Sequence, residues 1–146
     1  MSTPGSQKWL QFLHANGFRV TPALRAVVDI VSSDGKALSA QQVFDSARRM
    51  HPKLGLMTVY RALEKLEELA LIQKVHSPGG CHTYAASPNG HQHLLLCLTG
   101  GRVEYFEGDE LESLFQAIGV EKKYQIKEHW LQLFGVCQQC AKMVDA

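Results

Sequence analysis

His91-Gln92-His93, Cys97, Glu112, His129 and the pair Cys137-Gln138-Gln139-Cys140 bring three imidazoles, one carboxylate and three thiols into a single short stretch of chain. Residues two apart on a strand project to the same face, so an extended segment here would aim the His91 and His93 rings at one point. Nitrogen, carboxylate and thiolate donors in that combination suit zinc or another divalent transition metal. Calcium and magnesium prefer shells of oxygen. The chemistry on offer is metal binding.

The half of the chain that precedes these donors is of a different kind. Residues 1–89 carry ten Lys/Arg against six acidic residues, whereas residues 90–146 carry five against eight. A basic half joined to an acidic half suggests separate tasks, with contact to a polyanion assigned to the first. Charged residues make up 20% and hydrophobic residues 45% of the chain, which is the balance of a globular protein. No apolar run approaches the roughly 18–20 residues of a membrane span. Met1-Ser2-Thr3-Pro4-Gly5 lacks the basic-then-apolar order of a signal peptide. These features predict a cytoplasmic chain, where four cysteines are better read as thiols or metal ligands than as disulfides.

Periodicity predicts helices over residues 7–16, 22–33, 40–49 and 56–69. The first places Trp9, Leu10, Phe12 and Leu13 on one side and stops at Gly17. Thr21 is an N-cap with Pro22 in the first turn, and Leu24, Val27, Val28 and Val31 recur at helical spacing. Ser33-Asp34-Gly35-Lys36 reads as a turn. Ser39 caps the third helix, which buries Val43 and Ala47. The fourth has Val59, Leu63 and Leu66 on its buried stripe, with Ala70 a candidate to continue it, and shows Thr58, Tyr60, Arg61 and Lys65 on the other side. Two strands follow, 71–75 and 83–86, around Ser77-Pro78-Gly79-Gly80. Three helices and a two-stranded ribbon make a winged helix-turn-helix.

The helix opening Met57-Thr58-Val59-Tyr60-Arg61 offers an aromatic hydroxyl and a guanidinium near its N-terminal end. That is the end from which a recognition helix reads bases. Tyr60 is able to touch thymine methyls, and Arg61 to take phosphate or guanine. A solvated helix face would show the same residues; the wing and the charge asymmetry favour DNA. Ser87-Pro88-Asn89-Gly90 is a hinge of turn formers. Beyond it the pattern predicts strands near 91–97 and 102–106, a helix near 109–118 and a strand near 124–133. This small α/β unit leaves Leu131, Leu133 and Phe134 for a twofold partner to cover. The expected fold class is α+β: a winged-helix DNA-binding domain over 1–86, a hinge at 87–90 and a small α/β domain over 91–146.

An enzyme reading is weak. Cys81 beside His82 suggests a nucleophile with its base, but neighbours on a strand point to opposite faces. No phosphate loop, nucleophile elbow or metalloprotease motif is present. No small-molecule substrate is implied.

Thr58-Val59-Tyr60-Arg61-Ala62-Leu63, Gly17-Phe18-Arg19-Val20-Thr21 with Arg25, the His91/His93 strand and Phe134-Gly135-Val136-Cys137-Gln138-Gln139-Cys140 together resemble the ferric uptake regulator family. The likeness runs over nearly the whole chain, in order and in spacing. It implies a homodimeric, metal-responsive regulator, a repressor or at times an activator, with a C-terminal dimerisation domain and a double-stranded DNA operator as partner. It further implies a metal site at His91, His93, Glu112 and His129. The family's structural zinc sits between two Cys-x-x-Cys pairs; here Cys137 and Cys140 are intact, but Cys97-Leu98-Thr99-Gly100 has glycine at the fourth thiolate's place. Cys97, Cys137 and Cys140 are left, to hold zinc with a fourth donor from elsewhere or to stand empty.

The family's usual sensing positions fall on Gln73, Ser87, Gln92 and Leu94, a poor donor set. His76, Cys81 and His82 cluster in the wing instead, and form a candidate rearranged sensing site completed by His91 or His93; simple decoration of a wing turn is the other reading. Thr58, Tyr60 and Arg61 are candidates for base or backbone contact, and Lys8, Arg19, Arg25 and Lys65 for phosphates. The expected cofactor is zinc, one or more ions per protomer, and the chain looks most like the zinc-uptake branch. Iron(II), manganese(II) or peroxide sensing, a metal-independent winged-helix regulator and a zinc-stabilised adaptor remain the alternatives.

Overall fold

A computed structural model describes residues 4–33, 35–76, 82–87 and 92–144. The chain forms two compact units, Met1–Ser87 and Pro88–Ala146. The expected hinge residues 88–90, together with Asp34, Ser77 to Cys81 and His91, lie outside the described residues.

The first unit contains α1 (Pro4–Ala15), α2 (Pro22–Ser33), α3 (Ala40–Arg48), α4 (Leu56–Glu68), β1 (Ile72–His76) and β2 (His82–Ala86). The start signals work through hydrogen bonds. Thr21 Oγ1 accepts from the Leu24 amide at 3.1 Å, which satisfies one of the donors a helix start leaves unpaired. Ser39 makes a full capping box: its hydroxyl accepts from the Gln42 amide at 3.1 Å, and the Gln42 side chain accepts from the Ser39 amide at 2.9 Å.

The stop signals are equally local. At the end of α1 the Phe18 amide reaches back to the Leu13 carbonyl and Gly17 takes φ +83°. At the end of α4 the Leu71 amide reaches the Leu66 carbonyl in the same way, but Ala70 occupies the left-handed position with φ +57°. Ala70 is therefore exposed beyond the helix end and does not continue the buried stripe. Phe12 is likewise exposed; the buried side of α1 is Leu10 and Leu13, with Trp9 partly covered.

Leu13, Val27, Val28, Val43, Val59, Leu63 and Leu66 are fully buried in one cluster shared by the four helices. β1 and β2 pair antiparallel, Ile72 opposite Ala86 through His76 opposite His82. Leu38 adds a short third rung: its backbone N–H and C=O both bond Tyr84, at 2.9 and 2.7 Å. Sequence periodicity missed it because one bridging residue has no period.

The second unit contains β3 (Gln92–Cys97), β4 (Val103–Glu107), α5 (Asp109–Lys122), β5 (Gln132–Gly135) and α6 (Gln138–Val144). Its sheet has the order β4-β3-β5, with β3 antiparallel to β4 and parallel to β5. The expected strand over 124–133 is corrected. Residues 124–131 are irregular, and pairing with β3 begins only at Gln132, opposite Leu94. Tyr124 and Trp130 give the segment an apolar alternation, yet both are exposed and no ladder in this protomer receives it. The expected helix over 109–118 continues to Lys122, and α6 was not anticipated.

Truncation of the most enclosed side chain of α4 should be costly. Leu63→Ala is expected to lower unfolding stability by about 2–5 kcal/mol, through lost burial and a residual cavity, read as an earlier urea midpoint by circular dichroism.

Candidate metal centres and nucleic-acid face

The parallel ladder sets the thiol site. Cys97 closes β3 opposite Gly135 of β5, and the Leu98 amide bonds the Gly135 carbonyl at 2.8 Å. Two residues beyond Gly135, the Cys137 amide donates to Cys97 Sγ at 3.3 Å, and the Gly100 amide donates to the same sulfur at 3.4 Å. α6 then returns Cys140 to the group. The three sulfurs lie within 4.8 Å of one another, and all three cysteines are unbridged.

Two amides pointing at one sulfur stabilise its anion. Cys97 is lowered from the ordinary thiol value to about 6, chiefly by the Cys137 amide and then by the Gly100 amide, against the opposing effect of burial. Cys140 is raised to about 11: it keeps its proton to donate to Cys137 and Cys97, and a second anion beside them is unfavourable. One thiolate and one held proton among three soft donors fit a zinc-type ion, which binds thiolates and releases protons on binding.

A second group lies around His93, which is 8% exposed in mid-sheet. Its ring packs 5.5 Å from Phe106 and 5.2 Å from the ring of His129, which in turn lies 4.7 Å from Phe115. Glu112 is on α5 one turn ahead of Phe115, on the same side of the helix. Two of the expected ligands, His93 and His129, are thus neighbours. Among the described residues this group does not close into a three-donor cluster, and His91 falls outside them.

Gly108, the residue before α5, is the unanticipated part. A Cβ there would stand 2.5 Å from His93 Cδ2 and 2.7 Å from Nε2. Backbone at 108 therefore walls the imidazole, which a sequence without coordinates does not reveal.

In the wing, His76 and His82 face each other across the ladder with ring centroids 4.8 Å apart, edge to face. Cys81, their proposed companion, lies outside the described residues.

On the first unit, Lys8, Arg19, Arg25, Thr58, Tyr60, Arg61 and Lys65 are all exposed. α4 earns its surface by its burial: Val59, Ala62, Leu63 and Leu66 turn inward, so Thr58, Tyr60, Arg61 and Lys65 turn outward. Met57 joins them, 63% exposed at the start of α4, an apolar neighbour to Tyr60 and Arg61 that was not singled out from the sequence. Among the described residues no helix is long and apolar enough to cross a membrane.

The sequence profile of the Ferric uptake regulator family matches residues 15–134. A "Ferric uptake regulation protein" of Bacillus subtilis is 33% identical over 132 residues, covering 88% of this chain and 89% of its own length. One from Legionella pneumophila is 30% identical over 131 residues, 89% of this chain and 96% of that one. Among solved structures, a zinc uptake regulator complexed with zinc and DNA superposes with a TM-score of 0.74 at 22% identity, over 99% of this chain and all of that one. The Helicobacter pylori ferric uptake regulator gives 0.72 at 21% identity, over 92% of this chain and 90% of that one.

Two outcomes are expected. In metal-free protein the ultraviolet thiolate absorbance should rise through about pH 6, and this step should vanish in Cys97→Ser. The corresponding stabilisation is present above the ordinary thiol value and lost as pH falls through about 6; Cys140, shifted upward, acts with the opposite sign. Gly108→Ala should displace the His93 ring, visible as shifted imidazole resonances, and cost about 1–3 kcal/mol by overpacking.

Proposed function

The chain belongs to the ferric uptake regulator family of metal-responsive, DNA-binding transcription regulators, and from that membership we propose that it is a zinc-responsive repressor of zinc-homeostasis genes. The convergence of Cys97, Cys137 and Cys140 supports a bound zinc ion. Zinc as the signal rests on the poor donor set at the usual sensing positions and on the softer group in the wing, where His76 and His82 face each other 4.8 Å apart with Cys81 next in sequence to His82. Three thiols within 4.8 Å form a soft donor set, which favours zinc over iron(II) or manganese(II). His91, His93, Glu112 and His129 are the proposed second site, and His76, Cys81 and His82 a candidate third. When bound, the ion supplies a cross-link between the end of β3 and the start of α6.

The protein's own groups do the rest. Family members act as dimers on DNA operators, and α5 of this chain carries Leu114 and Ile118 exposed one turn apart, an apolar pair for a second copy to cover. The proposed domain organisation is a DNA-binding unit over 1–86, a hinge at 87–90 and a dimerisation and metal-binding unit over 91–146, in the cytoplasm. Two copies of α4 would enter successive half-sites of a palindromic operator. Tyr60, Arg61 and Thr58 would meet bases or backbone there, and Lys8, Arg19, Arg25 and Lys65 the phosphates. Metal binding would raise the fraction of dimers whose two recognition helices match the operator. A coupling of ~1–3 kcal/mol corresponds to a five- to hundred-fold change in affinity.

One observation favours another metal. The curated relatives at 30–33% identity are named for ferric uptake. The experiment separates the two: retention of a palindromic promoter fragment by the full-length protein with zinc, iron(II), manganese(II) or chelator. Retention lost in chelator and restored selectively by zinc supports the proposal. Restoration by iron(II) alone moves the chain to iron sensing, and equal retention in chelator removes metal control. Arg61→Ala should abolish retention while the dimer persists on a sizing column; unchanged retention would exclude α4 as the reading element.

A further inference from the structure

Tetrahedral zinc needs four donors, and three converge here among the described residues. The fourth place can be located. Gly100 is exposed in the turn that follows β3, and a Cβ built on it would lie 3.0 Å from Cys140 Sγ and 4.0 Å from Cys97 Sγ. Position 100 thus lies against two of the three sulfurs, close enough that Cys140 would have to give slightly for a Cβ. The turn does not demand glycine at this position: the left-handed residue is its neighbour Gly101, at φ +75°, and Gly100 is outside that region. With glycine there, position 100 abuts the thiols yet offers them no side-chain donor.

We propose that the three-thiolate centre keeps its fourth coordination position open at Gly100 and that a small exogenous thiol takes it. The inference rests on the zinc reading of Cys97, Cys137 and Cys140. A closed four-donor shell is the mark of a structural site, whereas three protein donors with an open place allow exchange. Water is the default occupant. A thiol is a better match for a soft three-sulfur centre: it gives its proton to solvent as it binds, water leaves, and no electron is transferred. A cleft of about 360 Å³ reaches the centre on its Cys97 and Cys137 side, lined also by Arg102, Glu104, Gln138 and Gln139, while Gly100 and Cys140 lie outside its lining. Gly100 in place of a cysteine thereby turns a fixed staple into a site that answers to the surrounding thiol pool.

Cobalt(II) substitution tests this, because sulfur-to-cobalt charge-transfer absorption counts thiolates. The full chain carrying Cys81→Ser, which removes the remaining thiol of the four, is saturated with cobalt in thiol-free buffer, so that the histidine site is filled as well, and titrated with 2-mercaptoethanol. The expected result is a rise of about one third in that absorption, from three thiolates to four, with the visible bands moving to longer wavelength. In Gly100→Cys the four-thiolate spectrum should be present from the start and indifferent to added thiol. Thiolate absorption that is lost in Cys137→Ser yet does not respond to 2-mercaptoethanol would overturn the open position and leave the metal site standing. A Gly100→Cys protein that still responds would also overturn it. No thiolate absorption at all would overturn both the open position and the zinc reading beneath it.

Discussion

Four rungs of parallel ladder hold the second unit's chemistry in place. Leu94 to Cys97 lie against Gln132 to Gly135, and every thiol of the cluster is positioned from the end of that pairing. Parallel strands cannot be joined by a tight turn; they need a long crossover, here β4, α5 and the irregular segment 124–131. The loop-closure cost of so remote a pairing is recovered from only a few hydrogen bonds and from Leu94 and Leu96, which are buried on the sheet. The Cys137 amide bonded to Cys97 Sγ adds one more rung in effect, with sulfur as acceptor where a carbonyl would ordinarily stand. A metal held by the same sulfurs would close the ladder at the point where it ends.

Much of the first unit was legible because its signals are local. Thr21-Pro22 and Ser39 start helices by bonds to residues three positions on, and Gly17 ends one by its own backbone freedom. Ala70 was misread for a related reason: it falls at the helical spacing of the stripe, but the chain has already left the helix and the residue takes a left-handed turn usually given to glycine. Leu38 was invisible because a single bridge to Tyr84 has no sequence signature.

The second unit was harder to read because its signals depend on partners distant in sequence. Residues 124–131 alternate like a strand, but alternation predicts only that a face is available, not that an edge exists to receive it. The segment Gln138–Val144 read as a cysteine motif, and its short helix was overlooked beneath it. The thiol cluster was legible through the family resemblance, which pairs Cys137 and Cys140 with the place of Cys97 and left open whether the three would meet a metal. The proximity of His93 and His129 also followed the family pattern. The wall that Gly108 puts against His93 did not, because a close backbone approach leaves only a glycine behind as its trace.

The two units differ in how well they stand alone, and that difference bears on regulation. The helices of the first share a large buried cluster of leucine and valine. Among the described residues the second buries only Leu94, Leu96, Cys97 and Val103 as its apolar core, and of these only Leu94 completely, while Leu114, Ile118, Leu133 and Trp130 face outward. A unit this small with so little enclosed surface draws stability from what binds it, whether a second copy, an ion or both. A ligand can shift an equilibrium only by its difference in affinity for the two states, and a unit already rigid without metal would offer little difference to exploit. In the proposed regulator the thin core of the second unit is therefore what gives metal occupancy its leverage, while the well-packed first unit keeps Tyr60 and Arg61 presented on α4 in either state.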